Sequence, residues 1–293
     1  MSKPASSTPG NTASGTGNVA VSNRRDAYYW RLIATGLSFA LFGFGGLCLR
    51  LIVFPVLGCL PGDAIRQRER ARATVSRLFW LFIRSMARMG VLTYEVQGAE
   101  RLGRPGQMII ANHPSLIDVV FLIGLVRNAN CVVKQSLWQN PFTRSPVRAT
   151  QYISNDGSVD MLDTAANALR EGQTLIIFPE GTRTQPGHPP AFHRGAASIA
   201  LRGAKILTPV IIKVSPTTLT KAEPWYRIPD RRVHFSFRVG ADIDPNTFTA
   251  LGPPPKASRL LNDFVHDYFI KELATDERSE HANQTTDHRR PGP

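Results

Sequence analysis

A histidine and an aspartate separated by four residues, His113-Pro114-Ser115-Leu116-Ile117-Asp118, form the pair in this chain best suited to acid–base chemistry. A neutral imidazole can take a proton from a hydroxyl, while a carboxylate on the other ring nitrogen fixes the tautomer and stabilises the imidazolium that forms. Pro114 suits the first position of a helix, where its missing N–H would be unpaired anyway. His113 is therefore expected to be the N-cap of a helix over 114–126. The positive end of that helix disfavours imidazolium and keeps the base neutral. Ser115 has no base arranged to activate it as a nucleophile. Alone, such a pair is more often a capping histidine beside an unrelated acid.

A second segment, Leu175-Ile176-Ile177-Phe178-Pro179-Glu180-Gly181-Thr182-Arg183, follows about sixty residues later. A buried strand ends in a Pro-Glu-Gly turn, and a fixed cation comes after it. Backbone N–H groups in the turn and the guanidinium fork of Arg183 together match a phosphate. By itself the segment reads more readily as a β-turn with a solvated arginine.

The elements that must position these residues alternate between the two periodicities. Strands are expected at 93–97, 107–111, 131–134, 151–154, 174–178, 206–214 and 233–239. Helices are expected at 114–126, 159–170, 194–202 and 258–273. This alternation indicates an α/β domain over 93–275. The last helix carries Leu260, Leu261, Phe264, Val265 and Tyr268 on one face, suited to docking. Residues 1–25 and 276–293 are polar and are expected as disordered tails.

Ahead of the domain, residues 26–62 form an apolar segment, with eighteen uncharged residues from Leu32 to Leu49. As a helix these span about 27 Å, close to a bilayer core. Arg50 follows, then a run interrupted by Pro55 and Gly58. One tilted span and a helical pair dipping into one leaflet both fit; a buried soluble helix fits less well. Residues 63–92 then form a basic amphipathic helix. Arg66, Arg70, Arg77, Arg84 and Arg88 make a stripe, opposite Val75, Leu78, Phe79, Phe82, Ile83, Met86 and Met89. Such a helix is drawn to anionic headgroups. Its arginines lie on the domain's side, which by the positive-inside bias puts the domain at the cytoplasmic face of an inner membrane.

The net charge of +13 and pI near 10.3 call for a polyanionic partner. Because the arginines line a helix beside an apolar segment, the partner is a membrane and not nucleic acid. Cys48, Cys59 and Cys131 sit in apolar runs without metal-ligand spacing, so no metal or disulfide is expected.

The two motifs in this order resemble those of the glycerolipid (lysophospholipid) acyltransferase family. That family has a His-x4-Asp motif, a lysine-containing middle motif, a Phe-Pro-Glu-Gly-Thr-Arg motif and a late Pro-Val strand. The matching residues here are His113–Asp118, then Lys134 with Leu137, Asn140 and Pro141, then Phe178–Arg183, and Thr208-Pro209-Val210. Phe192-His193-Arg194-Gly195 matches the segment after the third motif. The resemblance covers roughly 75–245 and implies an α/β mixed sheet flanked by helices, with the following roles. His113 is the general base and Asp118 orients it. Lys134, Glu180, Gly181, Thr182, Arg183 and Arg194 bind substrate, and backbone donors near the middle motif hold the oxyanion. The acyl donor is acyl-CoA or acyl carrier protein, a substrate rather than a cofactor. The acceptor is lysophospholipid-like, 1-acylglycerol-3-phosphate by family default, and members anchor on or in one leaflet. One departure stands out: Asn155-Asp156 falls where many members place a phosphate-binding arginine. It is similar to a bacterial branch associated with aryl polyene-type pathways, and it opens the alternative of a non-phosphate or polyene-type acceptor. A catalytically silent lipid-binding protein is the rival from outside enzymes. His188 and His193 are read as bystanders, and the 221–230 loop with Trp225 and Tyr226 as packing on the membrane or on its own turn.

Overall fold

The computed structural model describes residues 27–140, 143–221 and 223–287, with backbone alone over 276–287. The expected tail at 1–25, and Pro141 of the middle motif, lie outside the described residues.

The helices in chain order are α1 (Tyr28–Cys48), α2 (Phe54–Cys59), α3 (Ala64–Arg88), α4 (Asp118–Leu125), α5 (Ser136–Gln139), α6 (Arg144–Thr150), α7 (Val159–Arg170), α8 (Gly195–Gly203), α9 (Asn246–Thr249) and α10 (Pro254–Asp287). The strands are β1 (Leu92–Gln97), β2 (Gln107–Ala111), β3 (Ala129–Lys134), β4 (Ile153–Asn155), β5 (Thr174–Ile177), β6 (Ile206–Ser215) and β7 (Val233–Val239). They form one seven-stranded sheet in the order β1-β7-β6-β2-β5-β3-β4. All pairings are parallel except β6 with β7. The expected mixed α/β sheet is therefore the fold.

The sheet is sandwiched between two helical layers, and period-2 alternation feeds both. Ile109, Ala111, Ile176 and Phe237 face one core with Ile83 of α3 and Phe121 of α4. Met108, Ile110, Leu175 and Ile177 face the other with Leu169 of α7, Ile199 of α8 and Phe269 of α10. The central strands β2 and β5 are buried along their whole length, which is why they read as unbroken apolar runs.

Three expectations are corrected. The helix expected over 114–126 begins at Asp118, so His113 is not its N-cap. Residues 115–117 form a turn instead, held by Ser115 N donating to the Asp118 carboxylate and Leu116 N to Leu219 O. The C-terminal tail is helical through Asp287, because α10 is nucleated by its docked first half and the polar residues after it need only propagate it. Pro55 and Gly58 do not break the apolar segment. A π-helical turn at Leu49–Val53 joins α1 to α2, a wider turn of the kind that absorbs the donor lost at a proline.

Together Tyr28–Cys59 make a 32-residue helix, long and apolar enough by length and composition to cross a membrane. It lies antiparallel against α3 along its whole length. Trp30 Nε1 donates to Met89 O at 2.8 Å. Phe42 packs on Phe79 and Phe82, with ring centroids 5.8 and 5.2 Å apart. Leu57 shares a groove with Arg66 and Arg70. Asp63 caps α3 by accepting from Arg66 N. Val75, Ile83 and Met86 are buried as the wheel requires, but Leu78 is 37% exposed. Arg72 is the exception to the basic stripe: it is wholly buried, donating to Thr150 O and Gln173 Oε1, and burial lowers its guanidinium to about 10.

Candidate active site

Both motifs leave the carboxyl ends of adjacent parallel strands: His113 follows β2, and Phe178–Arg183 follows β5. This is the edge where open α/β sheets bind ligands. Lys134 ends β3 on the same edge, and Asp156 follows β4.

His113 Nδ1 lies 3.0 Å from Asp118 Oδ2. Asp118 is completely buried, and the same oxygen accepts from Ser115 N at 2.6 Å. A carboxylate there orders the ring with its proton on Nδ1, leaving Nε2 as the basic atom. Burial pushes the Asp118 carboxyl up from its ordinary value, opposed by its hydrogen bond and charge interaction with His113. The imidazole stacks on Phe178 at 4.3 Å between ring centroids, so the second motif supplies a wall for the first. Its side chain keeps 16% of its surface exposed.

Glu180 has a role beyond the expected one. It turns inward, 5% exposed, and its Oε1 accepts from His113 N at 2.9 Å and from Thr184 Oγ1 at 2.8 Å. Thr184 N in turn donates to His113 O at 2.7 Å. The glutamate thus holds the backbone of the histidine. Desolvation raises its carboxyl above the ordinary range, with these donors opposing. Gly181 closes the turn by donating to Phe178 O and takes φ 63°, a left-handed conformation that suits glycine.

Arg183 donates from Nη1 to Leu219 O and Thr220 O, both at 2.8 Å. Leu219 O also accepts from Leu116 N at 3.2 Å. Leu219 is buried in a left-handed conformation, φ 53°, costing about 1–2 kcal/mol. Its carbonyl is the point where the loop after β6 ties both motifs together. That loop is anchored to α1 in turn. Buried Arg31 donates to Asp230 O and Arg231 O, and Trp225 packs on Phe39. Trp225 therefore sits against the apolar helix, with Tyr226 packed edge-on to it.

The remaining expected residues are less gathered. Gly181, Thr182, Lys134 and Arg194 are exposed, Arg194 directly before α8. His193 N donates to Pro179 O, bracing the turn through its backbone, and His188 is exposed. Asp156 is exposed and its Oδ1 accepts from Ser158 N and Oγ, which holds its carboxyl below the ordinary value. Lys134 pairs in register with Asn155, so Lys134 and Asp156 stand at neighbouring strand ends.

Sequence reasoning gave no role to Thr184, Leu219, Arg31 or Asn112. Asn112 exchanges two hydrogen bonds with the Ile212 backbone, both 2.8 Å, and fixes the strand just before His113. Its place beside the motif was the available signal; the loop residues gave none.

The Acyltransferase family profile matches residues 93–213. The chain is 27% identical to a 1-acyl-sn-glycerol-3-phosphate acyltransferase of Saccharomyces cerevisiae, over 71% of this chain and 66% of that protein. It is 29% identical to one from Pseudomonas aeruginosa, over 41% of this chain and 49% of that protein. It is 28% identical to the human beta enzyme of the same name, over 56% and 60%. The chain thus spans about half to two thirds of the length of these relatives. In fold it resembles the 1-acyl-sn-glycerophosphate acyltransferase of Thermotoga maritima, with TM-score 0.62, 20% identity, and coverage of 83% of this chain and 98% of that one. The motifs converge on one sheet edge, within or just beside a stretch, residues 93–213, that is similar to the acyltransferase family.

Proposed function

We propose that this protein is a membrane-bound O-acyltransferase that moves a fatty acyl group from acyl-CoA or acyl carrier protein to a lysophospholipid hydroxyl, with 1-acylglycerol-3-phosphate as the first acceptor to test. The observation that carries the reading is the 3.0 Å contact of His113 Nδ1 with buried Asp118, which leaves Nε2 as a base at the ligand-binding edge. Nε2 takes the acceptor hydroxyl proton as that oxygen attacks the thioester carbonyl. The tetrahedral intermediate collapses, the C–S bond breaks, and the departing thiolate takes the proton from the imidazolium. Asp118 stabilises that imidazolium, while Glu180 and Thr184 hold the histidine backbone. Lys134, Arg183, Gly181, Thr182 and Arg194 are the acceptor-side groups. A second reading, a non-phosphate or polyene-type acceptor, rests on Asp156 beside Lys134, where a carboxylate opposes a phosphate.

The helix pair seats the enzyme in one leaflet at the cytoplasmic face of the inner membrane. A perpendicular span would draw the α3 arginines into hydrocarbon, at about 2.5–3.5 kcal/mol each near the centre. Lying along the interface avoids that cost and exposes Ile33, Leu37, Phe44 and Leu51 to lipid.

The test is transfer of labelled acyl groups from acyl-CoA and from acyl carrier protein to a panel of lysophospholipid and non-phosphate acceptors by the purified full chain. Transfer that His113→Ala abolishes is expected. Transfer to no acceptor, or undiminished transfer by His113→Ala, refutes the proposal.

A further inference from the structure

Asp118 is wholly buried, yet its two oxygens are bonded unequally. His113 Nδ1 and Ser115 N both meet Oδ2, while Oδ1 has no hydrogen-bond partner among the described residues. Ser115 is also wholly buried, and its hydroxyl is likewise unpartnered among the described residues. A buried hydroxyl without a partner destabilises a fold, so a serine here calls for a reason. Capping does not supply one. Ser115-Leu116-Ile117-Asp118 has the spacing of a capping box, in which the serine oxygen accepts from the fourth residue's N–H and that residue's carboxylate accepts from the serine N–H. Only the second half is formed: Asp118 N goes to Ser115 O at 3.4 Å, and α4 has no side-chain cap. Full burial also keeps the hydroxyl from attacking a substrate carbonyl. The group it can serve is the carboxylate to which Ser115 N is already bonded. His113 uses its other nitrogen as the base, so Ser115 holds the remaining donor. A turn about χ1 moves that hydroxyl between staggered positions without moving the backbone.

We propose that Ser115 is a positioning residue: its hydroxyl donates to Asp118 Oδ1 as His113 becomes imidazolium, so that the carboxylate is anchored through both oxygens. Burial pushes this carboxyl toward its neutral form, which cannot support an imidazolium. A donor on Oδ1 opposes that push at the moment the negative charge is needed. Hydrogen bonds of this kind are often unmade in the resting site and tighten in the reacting complex. The role rests on the acyl-transfer reading of His113.

The test is a double-mutant cycle on the full chain, with acyl transfer and thermal melting measured for Ser115→Ala, Asp118→Asn and the two combined. Ser115→Ala should lower kcat about tenfold to a hundredfold, the range for a hydrogen bond to a charged group, with both KM values unchanged. Its Tm should equal or exceed that of wild type, because an unpartnered buried hydroxyl is removed. Ser115→Cys, with a weak donor of similar size, should fall between alanine and wild type. In the Asp118→Asn background the alanine should change kcat by less than about twofold, since no carboxylate is left to support. A wild-type kcat in Ser115→Ala overturns the proposal. Equal losses in the two backgrounds also overturn it, because the effect would then bypass Asp118. So does a raised KM at constant kcat, which would mean that the hydroxyl touches substrate, or a lowered Tm, which would mean that it is bonded in the resting fold. Undiminished transfer by Ser115→Ala beside an inactive His113→Ala refutes Ser115 alone, whereas transfer to no acceptor by wild type refutes the acyl-transfer reading and this role with it.

Discussion

Replacing Asp118 by asparagine separates the chemistry of the site from its architecture. His113 Nδ1 and Ser115 N converge on the single oxygen Oδ2, at 3.0 and 2.6 Å, while Oδ1 is buried without a hydrogen-bond partner. An amide oxygen in the Oδ2 place keeps both donors but loses the charge that supports the imidazolium. A hydrogen bond to a charged group contributes about 1.5–3 kcal/mol against about 1 for a neutral one, so this orientation lowers kcat about tenfold. The opposite orientation places the amide N–H₂ against Nδ1, moves the ring proton to Nε2 and removes the base, at about 10⁴-fold. The expected loss lies between these limits, read as single-turnover acyl transfer.

Stability should move the other way. Burial raises the Asp118 carboxyl, so the native state holds that proton more tightly than the unfolded chain. Wild type therefore loses stability as pH rises from the unfolded value, near 3.9, through the raised native one, and the deficit persists at neutral pH. An asparagine never ionises. Asp118→Asn should melt at or above wild type at neutral pH, the difference closing in acid. A kcat within about threefold of wild type refutes the catalytic role. A lower Tm at neutral pH refutes the assignment of burial as the dominant influence on Asp118.

Glu180→Ala strands the His113 N–H and the Thr184 hydroxyl, at about 1–3 kcal/mol each, and should lower kcat and Tm with acceptor KM unchanged; a raised KM at constant kcat would show that Glu180 touches the acceptor. Arg31→Ala removes two charged hydrogen bonds to the 230–231 carbonyls, so it should lose about 2–3 kcal/mol in denaturant and speed proteolysis between 221 and 232. Wild-type cleavage there would mean that α1 does not hold the loop. Asp156→Arg should improve use of 1-acylglycerol-3-phosphate if the carboxylate beside Lys134 disfavours phosphate, measured as kcat/KM; no change would remove that carboxylate from acceptor choice.

The strands lie close to where their patterns placed them because β2 and β5 are continuous apolar runs and β7 alternates cleanly. The start of α4 was misread for a specific reason. Pro114 signals a helix locally, but Leu116 N bonds to a loop more than a hundred residues away and Ser115 N to the Asp118 side chain. Arg72 looks like one more surface arginine until Thr150 and Gln173 are brought around it.

From sequence alone, His113–Asp118 and Phe178–Arg183 pointed to acyl transfer only when taken together and in order, because each residue set alone also fits a cap or a turn while the ordered pair resembles one family. Tertiary structure alone decided that Glu180 and Thr184 hold His113, that Leu219 joins the motifs, and that α1 and α2 lie along α3. Those contacts link segments far apart in the chain: the order of strands in the sheet brings the motif loops into hydrogen-bonding range, and the packing of α1 on α3 brings Trp30 to Met89.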